Sequence, residues 1–162
     1  FLQFRRDIAL VERLEELGYD EFWCGEHHSS GWEMIASPEM FLAAAAERTR
    51  RIKLATGVVS LPYHHPFHVA QRMAQLDWMS GGRAIFGSGP GALASDAHTL
   101  GVDPMLLRDR QDEAIGVIRR LFRASGSPTN PTGSRCRTPP CSCCRCRTRC
   151  RSPSPRRSAR RA

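Results

Sequence analysis

An α/β fold built on a parallel sheet is predicted by three features of residues 1–123. These are short apolar runs rich in small and β-branched side chains, longer stretches with apolar residues at helical spacing, and short connections that make the two alternate. Alternation with short links argues for right-handed βαβ units, because a parallel neighbour is reached only through a crossover. The first stretch places Leu10, Val11, Leu14 and Leu17 on one helical stripe, opposite Glu12, Arg13, Glu15 and Glu16, and Gly18 supplies a C-terminal stop. Residues 19–24 follow as a short strand buried on both faces, ending in Gly25-Glu26-His27-His28. Ser37 as N-cap and Pro38 at the first helical position open a second helix to about Arg50. The segment KLATGVVSL, residues 53–61, reads as a second doubly buried strand. Pro66 starts a third helix with Phe67, Ala70, Met73, Ala74 and Asp77 at helical spacing, stopped by Gly81-Gly82, and residues 83–87 supply a third strand. A long loop, SGPGALASDAHTLGVDP, precedes a last helix from about Leu106 to Phe122 whose apolar face is Ile115, Ile118, Leu121 and Phe122.

Three strands make an incomplete sheet, since a closed eight-stranded barrel takes about 250 residues and an open doubly wound sheet usually has more strands. The chain opens on Phe1 rather than Met and enters a helical pattern at once, so it is expected to lack its true beginning. Composition changes sharply after residue 123. Residues 124–162 hold ten Arg, six Pro and six of the seven Cys, with no acidic residue and no large apolar side chain. Residues 1–123 carry 14 basic against 16 acidic groups, about −2, so the net charge of +8 resides in the tail. A segment with nothing to bury cannot offset about 1–2 kcal/mol of ordering entropy per residue, and disorder is expected there. The absence of a signal peptide or a long apolar run leads to the expectation of a soluble cytoplasmic protein with no membrane partner.

Chemistry in a parallel α/β sheet collects at the carboxyl ends of the strands. Past the first strand, Glu26-His27-His28 could carry acid–base chemistry near neutral pH or bind a metal, or be loop and helix-capping histidines. In an extended backbone the two rings point to opposite sides, so at most one would face a common site. The HEXXH spacing of zinc hydrolases is absent and no metal is assigned. Past the second strand, LPYHHPF reads more simply as a helix start capped by His65. Within that strand, Thr56-Gly57-Val58 sets small residues where a planar cofactor could approach, although glycine equally marks a bulge. Past the third strand, Gly87-Ser88-Gly89-Pro90-Gly91 resembles a phosphate loop but lacks the third Gly of a dinucleotide fingerprint.

The ordered strings ELGYDEFWCGEHH, SPEMFLAAAAERTRRIKLATGVVSLPYHHPF, QLDWMSGGRAIFGSGPG and SDAHTLGVDP resemble the luciferase-like flavin-dependent monooxygenases, most closely the limonene monooxygenase type. The resemblance covers about residues 6–122. It implies a partial (β/α)8 TIM barrel, strands two to four with their helices, over a domain 1–123. It further implies reduced FMN supplied by a separate flavin reductase, O2, and a small apolar substrate, a terpene-like alkene or carbonyl. Oxygen transfer would run through a C4a-hydroperoxyflavin, in a parent enzyme expected to be a homo- or heterodimer. A deazaflavin-dependent oxidoreductase on the same barrel is the alternative. By the same resemblance His27 takes the family's catalytic histidine position with Glu26 and His28 beside it. Thr56, Gly57, Val58, Ser88 and Gly89 would contact the cofactor, with a non-prolyl cis peptide at Gly57-Val58. Pro90 stands where bacterial luciferase places an arginine on the flavin phosphate.

The tail cysteines lack the paired CxxC spacing of zinc sites, and no histidine follows His98. Nucleic-acid binding by the arginines is a disfavoured alternative. The body has a single Lys, Lys53, against 13 Arg and no Asn, which points to GC-rich coding. The tail's restricted alphabet is then expected from a frameshift after Phe122, and the fragment is expected to be inactive alone.

Overall fold

The computed structural model describes residues 2–124, and the expectations for the tail lie outside the described residues. Helix α1 (Leu2–Glu16) leads into strand β1 (Glu21–Cys24), helix α2 (Pro38–Arg48), strands β2 (Lys53–Thr56) and β3 (Val59–Ser60), and a 3-10 turn (Leu61–Tyr63). Helix α3 (Pro66–Met79), strands β4 (Ala84–Ile85) and β5 (Ser88–Gly89), helix α4 (Ala94–Thr99), a second 3-10 turn (Pro104–Leu106) and helix α5 (Leu107–Ala124) follow. Strand order is β1-β2-β4, all parallel, and β3 pairs with β5, again parallel. The expected α/β architecture is present, with α1, α2, α3 and α5 around one core of Val11, Leu42, Leu54, Val59, Val69 and Ile118.

Gly18 ends α1 as the pattern requires. Its φ is +85°, Gly18 N–H donates to Glu15 O at 3.1 Å, and Tyr19 N–H reaches back to Leu14 O at 3.0 Å. Several details depart from expectation. On α1 only Val11 is fully buried, whereas Leu10 and Leu17 are exposed, because α2 is the helix it packs against. Strand β1 is not buried on both faces: Trp23 is 52% exposed, since among the described residues β1 is an edge strand paired only with β2. Helix α2 ends at Arg48, and the Ser37 hydroxyl donates to Glu39 Oε2 at 3.0 Å instead of accepting from the helix backbone. The buried stripe of α3 is Val69, Ala70, Met73 and Leu76, rotated from the expected one, and Phe67 and Ala74 face outward. The segment 88–104 is not all loop, because α4 forms inside it from polar and small residues that carry no helical apolar period.

The second and third strands are each broken once. A cis peptide joins Gly57 to Val58, separating β2 from β3 where one strand was expected. Thr56 repairs the ladder: its hydroxyl donates to Gly87 O at 2.8 Å and accepts from Gly87 N–H at 2.9 Å. Gly87 is required there, because a Cβ would lie 2.2 Å from Thr56 O.

Arg83, just before β4, ties the helix layer to the sheet. Its guanidinium donates to the carbonyls of Ala46, Thr49, Ile52 and Ser80 and to Thr49 Oγ1, at 2.7–3.2 Å. These bonds cap the C-terminal end of α2, whose last carbonyls otherwise lack partners. Lysine cannot reproduce a planar fork of donors. Arg83→Lys should therefore lower unfolding free energy by about 2–3 kcal/mol, several charge-assisted bonds at roughly 1 kcal/mol or more each. Urea denaturation of the chain checks this, and a loss below about 0.5 kcal/mol would mean that the fork is dispensable.

Candidate active site

Two buried carboxylates organise the residues that follow the strands. Glu26, 3% exposed, comes directly after β1. Its Oε2 accepts from Ser60 N–H in β3 at 2.8 Å, and its Oε1 lies 2.7 Å from His28 Nε2 and 2.6 Å from His64 Nε2. Burial works to raise its carboxyl pKa, but the bonds from His64, Ser60 N–H and His28 together hold it below the ordinary value. Asp96, also 3% exposed, lies on α4. Its Oδ2 stands 3.2 Å from His27 Nδ1, and its Oδ1 accepts from His28 N–H at 3.1 Å and Ser29 Oγ at 2.6 Å. Burial again opposes the charge, and the Ser29, His28 and His27 bonds outweigh it, so this carboxyl too is held low.

His27 is held from both sides: its Nε2 lies 2.7 Å from Glu33 Oε2, on the loop between β1 and α2. The two adjacent imidazoles take different partners, His27 with Asp96 and Glu33, His28 with Glu26. Residues 27 and 28 lie beyond the strand, and the two clusters their rings enter are linked through the His28 backbone N–H, which donates to Asp96. Tyr63 packs edge-on to His28 at 5.9 Å, its hydroxyl buried, and burial with the Asp96 and Glu26 charges raises its pKa.

Of the remaining sequence-derived candidates, Thr56 is fully buried with its hydroxyl committed to Gly87. Gly57 lies under Trp23, where an added Cβ would come within 3.0 Å of the indole, and Gly89 lies so close to Val58 that a Cβ would meet it at 2.9 Å. Ser88 Oγ accepts from Gln111 of α5 at 3.2 Å. His65 occupies the N-cap position of α3, but its imidazole does not cap; its carbonyl accepts from His68 and Val69 instead. Sequence reasoning missed His64, Asp96 and Glu33. His64 is visible in LPYHHPF, where it stands beside the helix-starting His65, and Asp96 lies in the segment whose composition predicts a loop. Among the described residues, Glu26, His28 and His64 are the one group with metal-ligand spacing, their ligand atoms lying within 4.8 Å of one another. The hydrogen bonds to Glu26 already account for that closeness.

Parallel strands with short breaks, and a cluster of buried carboxylates and histidines beyond their carboxyl ends, define a β/α enzyme scaffold. The luciferase-like monooxygenase family profile matches residues 2–153, and the chain belongs to that family. It is 63% identical over 117 residues to limonene 1,2-monooxygenase of Rhodococcus erythropolis, covering 72% of this chain and 30% of that one. It is 55% identical over 131 residues to 4-hydroxyprotoasukamycin monooxygenase of Streptomyces nodosus subsp. asukaensis, covering 81% and 35%. Among solved structures, the oxygenating constituent of 3,6-diketocamphane monooxygenase of Pseudomonas putida, a type II Baeyer-Villiger enzyme in complex with FMN, superposes with a TM-score of 0.70 at 30% identity, over 74% of this chain and 34% of that one. The chain spans about a third of the length of these relatives. No helix of the described residues is long and apolar enough to cross a membrane.

Because the folded carboxyls of Glu26 and Asp96 lie below their ordinary values of 4.5 and 3.8, they contribute stability that is complete above those values and is lost as pH falls through the folded ones. Glu26→Gln should cost about 2 kcal/mol at pH 7, the worth of a buried charge-assisted set. In urea melts the gap to wild type should narrow below about pH 4.5, the ordinary value for Glu26. An equal gap at pH 7 and pH 3.5 would place the effect elsewhere than in the charge.

Proposed function

We propose that the chain carries part of the site of a flavin-dependent monooxygenase that places one oxygen atom from O2 into a small apolar substrate, a terpene-like alkene or a carbonyl. The observation that carries this reading is the pairing of His27 with Asp96 at the strand ends of a luciferase-like monooxygenase, close in sequence and in space to Glu26, whose carboxylate bonds Ser60 of β3. FMN in its reduced form, delivered by a separate reductase, would supply the electrons that activate O2. The residues present fit the ring of such a cofactor. In support, the half-exposed indole of Trp23 packs directly against the side-chain-free backbone of Gly57 and Gly87, an apolar surface near the end of β1 on which a planar ring could stack.

His27 is built to hold and release a proton. Both carboxylates facing it only accept, so both ring nitrogens are bonded at once only when both carry hydrogen. The two partners differ in fixity: the Asp96 side chain is 4% exposed and the Glu33 side chain 54%. Asp96 therefore keeps the ring in place through Nδ1, whereas Glu33 can leave Nε2 to a bound substrate or oxygen species. Nε2 is the nitrogen that gives or takes the proton. Whether an oxygen nucleophile is to be kept protonated or freed for attack on a carbonyl, that choice is made at this atom.

In a protein that carries these residues within a whole barrel, His27→Ala should lower oxygenated product by about 10²-fold or more, the usual worth of a general acid–base group. FMN affinity, read by fluorescence quenching, should change by less than about threefold, since the role proposed for this ring is proton transfer and not cofactor binding. Undiminished product yield would dispose of the role. Asp96→Asn should retain FMN binding and lose most of the product, because the amide can donate to Nδ1 and no longer fixes which nitrogen carries hydrogen.

A further inference from the structure

Around Glu26 the hydrogen inventory is more restrictive than around His27. The carboxylate has no exposed side-chain surface, it is held ionised, and an ionised carboxylate donates nothing. Its Oε2 is taken by Ser60 N–H. Its Oε1 faces two imidazole nitrogens, His28 Nε2 at 2.7 Å and His64 Nε2 at 2.6 Å, and each of these must bring a hydrogen to so short a contact. A neutral imidazole has only one N–H. In both rings it is therefore spent on Glu26, and the lone pair is left on Nδ1.

We propose that Glu26, His28 and His64 form a second acid–base unit, in which the buried carboxylate fixes both imidazoles as the Nε2–H tautomer and so presents two proton-accepting Nδ1 atoms to the site. Glu26 is the positioning residue, and His64, on the turn after β3, is the member that the EHH string does not contain. Among the described residues neither Nδ1 makes a hydrogen bond within the protein, the two side chains keep 15% and 22% of their surface open, and His64 lines a cleft with Pro62, Pro66 and Arg110. A proton leaving a ligand O–H or N–H goes to Nδ1. The imidazolium so formed offsets the charge of Glu26, to which its other nitrogen stays bonded. Other polar groups near the pair are Tyr63 and Asp96 beside His28, and Arg110 and Glu113 of α5 across the cleft from His64. The unit deepens the monooxygenase reading and rests on that reading for its use, but its chemistry is fixed by Glu26 alone.

The test is the tautomer of each ring, read by long-range proton–nitrogen NMR at alkaline pH on the 162-residue chain labelled with 15N-histidine. His28 and His64 should carry hydrogen on Nε2 and none on Nδ1. Glu26→Gln supplies the decisive comparison. Ser60 N–H still needs an acceptor, so the amide oxygen should turn to it and the NH2 should face both rings, donating one hydrogen to each. Both rings should then reverse to the Nδ1–H tautomer, while His65 and His98 keep their signals. His64→Gln, which retains a donor to Glu26, should leave His28 as Nε2–H and covers the case in which Glu26→Gln does not fold. A wild-type Nδ1–H ring at either position would overturn the proposal, as would unchanged tautomers in a folded Glu26→Gln chain. Uptake of one equivalent of Zn2+ at micromolar concentration with loss of both Nε2 hydrogens would also overturn it, making the three residues a metal centre. An FMN titration of the same samples is read separately, so failure of the flavin reading and failure of the tautomer prediction are told apart.

Discussion

A carboxylate without exposed surface must gather hydrogen-bond donors or surrender its charge, and Glu26 gathers three from three different places in the fold. One is the next-but-one side chain of its own loop, one is a backbone amide of β3, and one is an imidazole on the turn after β3. Meeting that demand fixes where β1 ends relative to β3. It also brings EHH and LPYHH, 38 residues apart at the Glu26–His64 bond, into one cluster. The site follows from satisfying a buried charge, and the same demand explains why its histidines are ordered and not free on the surface.

The sheet below supports this with a similar economy. Two glycines and a threonine let the second and third strands break and continue, because Gly87 allows the backbone to approach Thr56, whose hydroxyl bonds both the N–H and the carbonyl of Gly87 while Val59 N–H keeps its backbone bond to the same carbonyl. Packing on the helix side does the rest: Leu54, Val59 and Ile52 are fully buried beneath α2, α3 and α5, and Arg83 joins that layer to the strand edge. Polar function at one end of the strands and apolar closure on one face are thus separate tasks, carried by different residues of the same short segments.

Much of the architecture was legible in the sequence, for physical reasons that also mark its limits. Gly18, Pro38, Pro66 and Gly81-Gly82 delimit helices through backbone restrictions that need no tertiary context, and these boundaries held closely. The faces of α1 and α3 were less legible, because which stripe is buried depends on neighbours that local spacing does not name. The helix at Ala94–Thr99 is too short and too polar to show an apolar period. In the site, Glu26, His27 and His28 could be named because they adjoin one another. His64 and Asp96 could not, since each acquires its role across 38 and 69 residues from a partner that only folding supplies.

The two carboxylates differ in the way they handle their histidines, and the difference assigns the work. Asp96 holds one ring through Nδ1 and leaves the opposite nitrogen to Glu33, a partner on an open loop that can be exchanged. Glu26 holds two rings through Nε2 and leaves both Nδ1 atoms without a protein partner among the described residues. One arrangement leaves a ring nitrogen on an exchangeable acceptor, and the other, as proposed above, leaves ring lone pairs open. His28 belongs to both arrangements, with its backbone N–H on Asp96 and its ring on Glu26, so the two carboxylates are tied together beyond the strand ends. Under the monooxygenase reading proposed above, that division would let one imidazole supply a proton while others accept one.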